Sequence, residues 1–418
     1  MSVQVETLRR ELGWLQGAAM TVGAVLGLGV LVLPVAAAQI AGPASLISWL
    51  FMGILAIPLA TVLGILGSHY PDAGGIASYT RQAFGDKAGA VTGFLFLGTV
   101  PIGGPVVALI GANYIGSLLS LTQPVIYSIA AFMLLLALFF NYRGIHLSGQ
   151  VQVGIIIVIT IVLLAASLAA FPYVKAESFK PFAPYGWLPV GKAMATLFWA
   201  FVGWEMIVHL AEEFKNPARD IPRSLGAAIG LTNGLYLIVA FATVGTGAYL
   251  GTGSEAALAV MIGQGWGDLA SLLTGILGFA VCYGTIHTYI AGFSRLIYSQ
   301  AREGYFPRYF NQLSPKYATP GRVLFCLAGV FVLVLVLNYL IGGSIGFLMQ
   351  WPSAIFIALY ILAMAASLKL FYKNSWLRCC ALISLVICIV IYTFTGWVGL
   401  YPLVLGFVGW QTISKKSG

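Results

Sequence analysis

Between Leu12 and Leu66 the chain runs without a single charged side chain, and a second such run covers Val151–Phe171. Each exceeds the roughly 20 apolar residues that a helix needs to cross a bilayer. Short alternating segments, which a transmembrane barrel requires, are absent. Of the 418 residues, 60% are hydrophobic and 8% are charged, whereas a soluble domain carries about 25% charged residues. A water-facing surface cannot be assembled from that inventory, so the sequence describes an all-α membrane protein with the lipid bilayer as its surroundings. The formal charge of +9 would suggest a nucleic-acid partner in a soluble protein. Here the charges fall in short segments between apolar runs, where they set orientation, and no nucleic acid is expected. The first apolar run is too long for a removable signal peptide and lacks a small-residue cleavage site. The five cysteines, Cys282, Cys326, Cys379, Cys380 and Cys388, show no metal-ligand spacing and are expected as small core residues. No metal or other cofactor is expected.

The apolar runs predict twelve transmembrane helices, over 13–40, 45–68, 89–120, 124–141, 148–171, 192–211, 224–250, 266–298, 321–341, 344–371, 376–394 and 397–413. With the N-terminus inside, Lys175, Lys180 and Lys192 are the basic residues left outside, so 18 of the 21 lie on the cytoplasmic side. That bias sets both termini on the cytoplasmic side. Adding or losing one span would reverse the sign of every later loop. Residues 1–418 are expected to form one polytopic domain. The longest external segment, Phe171–Gly191, carries Phe179, Phe182, Tyr185 and Trp187 among four prolines. An aromatic interface belt with proline-stiffened turns is the plain reading; a lid over an outer vestibule is the sharper one.

Two spans carry interruptions. In the first, G-A-V-L-G-L-G runs from Gly23 to Gly29, with Pro34 after it. Gly23 and Gly27 alone would suit a small-residue packing face. Three glycines in so short a run, followed by proline, better suit a helix that opens mid-membrane, where freed N–H and C=O groups are tolerable only beside a cavity. N–H groups at the start of a half-helix attract a carboxylate. In the sixth, F-W-A-F-V-G-W-E from Phe198 to Glu205 sets Gly203 among bulky aromatics. Glu205 is the acid placed inside a span, and an intramembrane carboxylate is costly enough to suggest a function. These spans begin two five-helix halves, and breaks at corresponding positions point to a midplane site. Glu205 and His209 stand four apart and would share a face if the inner half of the sixth helix were regular. A gating or proton-coupling role for this pair is weighed against a structural hydrogen-bonded one.

Several segments together resemble the amino acid–polyamine–organocation superfamily. They are the glycine-rich first helix, Y-P-D-A-G-G-I-A-S-Y (Tyr70–Tyr79), E-E-F-K-N-P-A-R-D-I-P-R (Glu212–Arg223) and S-R-L-I-Y-S-Q-A-R-E-G-Y-F-P (Ser294–Pro307). Their order and spacing match the family to about Pro320, and the overall look is most like bacterial exporters of methionine and branched-chain amino acids. The resemblance implies a LeuT-like fold of two inverted five-helix repeats, 13–171 and 192–371, with discontinuous helices one and six, plus two additional helices in 376–413. It implies carboxylate binding by the backbone of Gly27, Leu28 and Gly29. The ammonium-binding carbonyls fall on Val25 and on the break around Trp199, Ala200 and Val202, with Gly203 beside them in the substrate-binding segment, and the gating acid falls on Glu205. The aromatic of helix eight that packs the substrate side chain falls on Tyr289. The expected pocket lining is Leu28, Trp199, Phe201, Val202, Trp204 and Tyr289, apolar and aromatic, which favours a neutral hydrophobic amino acid as the partner. A coupling ion, proton or sodium, is expected as well. The helix-five lysine of sodium-independent relatives is replaced by Ile159, while Thr285, Thr288 and Ser294 offer hydroxyls.

Other classes fit less well. G-G-S-I-G (Gly342–Gly346) matches a nucleophile elbow, yet no acid follows Glu303 and no histidine follows His287, so an enzyme of that kind lacks its partners. A channel should carry rings of charge or repeated filter loops, and neither is visible.

Overall fold

The computed structural model describes residues 7–27, 29–250, 269–342 and 345–416. Its helices, in chain order, are α1 (Trp14–Leu26), α2 (Gly29–Ala41), α3 (Ser45–His69), α4 (Ile76–Phe84), α5 (Asp86–Leu97), α6 (Val100–Leu119), α7 (Gln123–Tyr142) and α8 (Ile145–Ala170). After these come α9 (Leu188–Leu197), α10 (Met206–His209), α11 (Pro217–Gly245), α12 (Leu269–Arg302), α13 (Gly321–Ile341), α14 (Ile345–Leu370), α15 (Ser375–Thr393) and α16 (Leu400–Lys416). Among the described residues the extended pairing is a single bridge, Leu12 with Phe214.

Nine helical stretches among the described residues are long and apolar enough to span a bilayer. The expected spans without a counterpart of that length are the first and sixth, both broken, and the last, whose helix α16 has 17 residues. The third expected span is not continuous either, since Gly98 and Thr99 separate α5 from α6. The segment after α3 is partly helical, because α4 forms behind a tight turn at Gly75.

The two breaks have local causes. At Gly27 the backbone adopts φ 34 and ψ −156, outside any helix, and α2 restarts at Gly29. In the sixth span α9 tightens into a 3-10 turn over Phe198–Phe201, Val202 is extended, and Gly203 takes φ 125. Beyond Gly203 the chain forms one helical turn, Met206–His209, and a second 3-10 turn over Ala211–Glu213. Glu205, in helical conformation, opens that one turn and His209 closes it. By contrast α11 starts cleanly: Pro217 opens it, and the Asn216 side chain accepts from the Arg219 N–H at 3.3 Å.

The broken helices sit at the centre of the bundle. α1 packs against α8, α11 and α12, and every residue from Gly17 to Leu26 is buried. The outermost helices instead leave large apolar side chains uncovered, such as Phe132, Leu333, Val386 and Phe407, as lipid-facing surfaces do. The cysteines divide along the same line. Cys282 and Cys388 are buried, but Cys326 and Cys379 are exposed and Cys380 is intermediate, which corrects the expectation of five core residues. Lipid tolerates a small apolar side chain as readily as the core does. The segment Phe171–Gly191 packs back onto the bundle: the Lys175 N–H donates to the Gly245 carbonyl at 3.0 Å, and Phe179 stacks on Phe241 at 5.3 Å.

Candidate functional site

Where the two breaks meet, the backbones nearly touch. A Cβ added to Gly203 would lie 2.7 Å from both the carbonyl carbon and the oxygen of Ala24, and one added to Gly29 would lie 2.9 Å from the Ala200 Cβ. The seam is held by Tyr236 of α11, whose hydroxyl lies 3.0 Å from the Val25 carbonyl, 3.1 Å from that of Leu26 and 2.8 Å from that of Ala200. A phenol carries one proton, so it donates to one of these carbonyls at a time. The others keep acceptor capacity at the junction of the two broken helices.

Beside this junction lies a cavity of about 110 Å³, several times the roughly 10–15 Å³ that one water requires. Val25, Gly27, Gly29, Trp199, Val202 and Tyr289 line it, so the structure gathers these six expected residues around one space. Four others are elsewhere. Ala200 abuts Gly29, and Phe201 turns to the far side, against Trp49 and Tyr236. Gly203 meets Ala24, and Trp204 is fully buried off the lining. Leu28 lies outside the described residues, as do Gly343 and Ser344 of the G-G-S-I-G run.

The rest of the lining comes from Ala24 of α1, from Thr99, and from α6, α12 and α14, with Ile102, Gly103, Ile286, Pro352 and Phe356 among it. No acidic or basic side chain takes part among the described residues. The polar groups present are turned elsewhere. The Thr285 hydroxyl lies 3.0 Å from the Gly23 carbonyl, and the Thr99 hydroxyl donates to the Phe96 carbonyl at 2.7 Å. Sequence reasoning missed the contribution of α6, although P-I-G-G-P (Pro101–Pro105), a glycine pair between prolines inside a span, was a visible signal. For Tyr236 and Tyr360 no such signal exists; each is one tyrosine in an apolar helix.

Glu205 sits behind the cavity, fully buried. Its carboxylate accepts from the Gly203 N–H at 3.0 Å, from the Tyr289 hydroxyl at 3.3 Å and from the Tyr360 hydroxyl. Tyr289 therefore touches both the cavity, with its ring, and the acid, with its hydroxyl. Glu205 and His209 are not joined by a hydrogen bond. The His209 Nδ1 faces the Ala73 carbonyl at 3.3 Å, and Phe96 meets the ring edge-on at 4.7 Å. Ile159 is buried and apolar, and brings no charge to the first helix. From α8 it is Gln152 that reaches inward, its amide nitrogen 3.2 Å from the Gly284 carbonyl and 3.5 Å from that of Ala19. Of the three hydroxyls expected to offer a sodium site, Thr285 alone approaches the break; Thr288 points at the Met20 sulfur at 3.5 Å and Ser294 donates back to the Ala291 carbonyl.

At one end of the bundle three of the motif segments converge. Glu213 forms a two-pronged ion pair with Arg295, at 2.8 and 3.2 Å, and both side chains are buried. Glu212 pairs with Arg302 at 3.0 Å, and Arg302 also reaches Asp72 at 3.2 Å. Arg81 pairs with Glu303, whose carboxyl is pushed upward from its usual range by burial, with Arg81 opposing that shift. Gly75, at φ 51, lets its loop close on His209, since a Cβ there would lie 2.5 Å from Nδ1. The segments that look like separate signatures in the sequence are thus contacting parts of one plug.

The sequence model described as amino acid permease matches residues 12–414. The chain is 44% identical over 411 residues to an uncharacterized amino acid permease, YecA, of Bacillus subtilis, covering 98% of this chain and 97% of the relative. It is 31% identical over 414 residues to the L-methionine/branched-chain amino acid exporter YjeH of Escherichia coli, with the same coverage of 98% and 97%. Among solved structures, MhsT in complex with L-phenylalanine superposes with a TM-score of 0.66 at 14% identity, over 94% of this chain and 99% of that one. At that identity the likeness is one of fold.

Proposed function

The chain belongs to the amino acid permease family, multi-pass transporters rather than enzymes, and on that premise we propose that it exports neutral, mainly hydrophobic amino acids. Methionine, leucine, isoleucine and valine are the substrates of this reading. They cross a bacterial inner membrane by alternating access, driven by a coupled proton or sodium ion. The observation that carries it is the cavity between the two helix breaks, whose described lining has no acidic or basic side chain. Every amino acid presents one carboxylate and one ammonium, so fixed backbone groups suffice for that part. N–H groups at the start of α2, around Gly27, Leu28 and Gly29, take the carboxylate, since the first turn of a helix leaves its donors unpaired. Carbonyls of Val25 and of the break at Trp199 and Val202 take the ammonium. The apolar wall takes the side chain, and a cationic or anionic one would lie there without a partner. The name of the Escherichia coli relative supports both the substrate class and the direction.

Orientation follows the positive-inside bias, with both termini cytoplasmic. The ion-paired plug then closes the cytoplasmic end, and Glu205 acts as the gating acid, in touch with the cavity through Tyr289.

Counterflow in proteoliposomes tests the reading directly. Labelled methionine, leucine and alanine should exchange saturably and arginine should not; linear flux, or none, would remove the carrier. Imposed sodium and proton gradients identify the coupling ion. Gly27→Leu should abolish exchange while the protein still expresses, because a bulky side chain would enter the break at a positive φ; persistent exchange would mean that the backbone site is misplaced. Glu205→Gln should impair flux and flatten its pH response, since an amide does not titrate and cannot accept from all three donors now on the carboxylate. Flux identical to wild type at every pH would take Glu205 out of the mechanism.

A further inference from the structure

The cavity has one wall whose shape is set by an absence. From α6 and the residue before it, Thr99, Ile102, Gly103, Gly104, Val106 and Val107 line the space. Their spacing is that of a single helical face, and Gly103 stands in its middle. A Cβ built on Gly103 meets no atom within 4 Å among the described residues. Its neighbour Gly104 behaves differently, for a Cβ there would lie 3.2 Å from the Phe331 ring, in the packing between α6 and α13. Gly29 is closed off by Ala200, and Gly27 has a positive φ. Gly103 has neither restriction: its φ is not positive and its side-chain direction is free. It faces a cavity whose other walls include Trp199, Tyr289 and Phe356.

We infer that residue 103 sets the size of the side chain this cavity admits, and that glycine there opens it to substrates as large as leucine and methionine. The inference rests on the amino acid carrier reading and names the position that tunes it. Folding does not require glycine at 103. Alanine or valine has ordinary helical backbone there, and alanine is the better helix former. Each carbon added at this position enters the cavity instead of the protein core. In an apolar pocket one methylene changes discrimination between substrates by about 10- to 200-fold.

The experiment is counterflow by wild type, Gly103→Ala and Gly103→Val, each with labelled alanine, methionine and leucine. Gly154→Ala on the exposed face of α8, where a Cβ also meets nothing among the described residues, controls for the added methyl. The ratio of leucine to alanine exchange should fall stepwise, by at least about 10-fold in Gly103→Val, with alanine exchange kept and the control unchanged. Unaltered ratios, or an equal loss for all three substrates in both variants, would overturn the inference and leave the carrier reading standing. Wild type that exchanges none of the three would overturn both.

Discussion

Arg295→Met is expected to destabilise the protein by about 3–5 kcal/mol, the cost of leaving one partner of a buried ion pair alone. Arg295 and Glu213 are both shielded from solvent, and the guanidinium holds the carboxylate through two parallel bonds at 2.8 and 3.2 Å. A third bond, at 3.1 Å, runs from Arg295 to the Ser294 hydroxyl. The neighbouring cation, Arg302, is already engaged by Glu212 and Asp72, so it cannot substitute. Methionine fills similar space without the charge, and Glu213 would then be a buried anion facing apolar atoms. The measurement is the unfolding midpoint in detergent for Arg295→Met, Glu213→Met and the double variant. Each single change should lower it strongly, and the double variant should recover much of the loss, because replacing a whole buried pair by apolar side chains is often close to neutral. Single variants that melt with the wild type would show that water reaches the pair.

Gly203→Ala is expected to be the most damaging single methyl at the junction, both to transport and to stability. The residue stands at φ 125, a conformation that L side chains rarely adopt, and such strain costs about 1–3 kcal/mol. The added Cβ would also sit 2.7 Å from the backbone of Ala24. A flexible side chain could swing aside, but a helix backbone in the bundle centre cannot, and overpacking of this kind adds about 1–3 kcal/mol. Relief would have to come from parting the two broken helices, and Val25 and Val202 on the cavity wall would move with them. Counterflow should be lost along with a lower melting temperature. Set beside Gly103→Ala, which adds the same methyl into open space, the pair separates loss of the junction from loss of room. Wild-type exchange by Gly203→Ala would mean that the two broken helices have room to part at their crossing.

The helix breaks were legible because glycine writes backbone freedom into the sequence. Gly27 and Gly203 were both marked, and both have positive φ. Gly203 was expected on the substrate, whereas its lack of a side chain serves the approach to Ala24. Glu205 was found because an acid in an apolar run is conspicuous. Its partners were not, since nothing marks Tyr289 and Tyr360 as the hydroxyls that converge on it. The expected alignment of Glu205 with His209 assumed a regular helix. One turn does join them, but no hydrogen bond links the two side chains, and the His209 ring meets the Ala73 carbonyl. The motifs Glu212–Arg223 and Ser294–Pro307 were recognised as patterns, and their reason is the set of ion pairs between them.

The sequence by itself determined the membrane class, the approximate spans, the two breaks and the family motifs. Charge depletion and glycine content act locally, through what a bilayer excludes and what a backbone can adopt. Only the tertiary structure decided which residues close the cavity, that Tyr236 stitches the breaks together, and that a Cβ at 103 would meet open space while one at 104 would meet Phe331. In water, one apolar face of a helix reveals which side turns inward. In lipid both faces are apolar, so that signal vanishes and inward and outward positions can be told apart only by what packs against them.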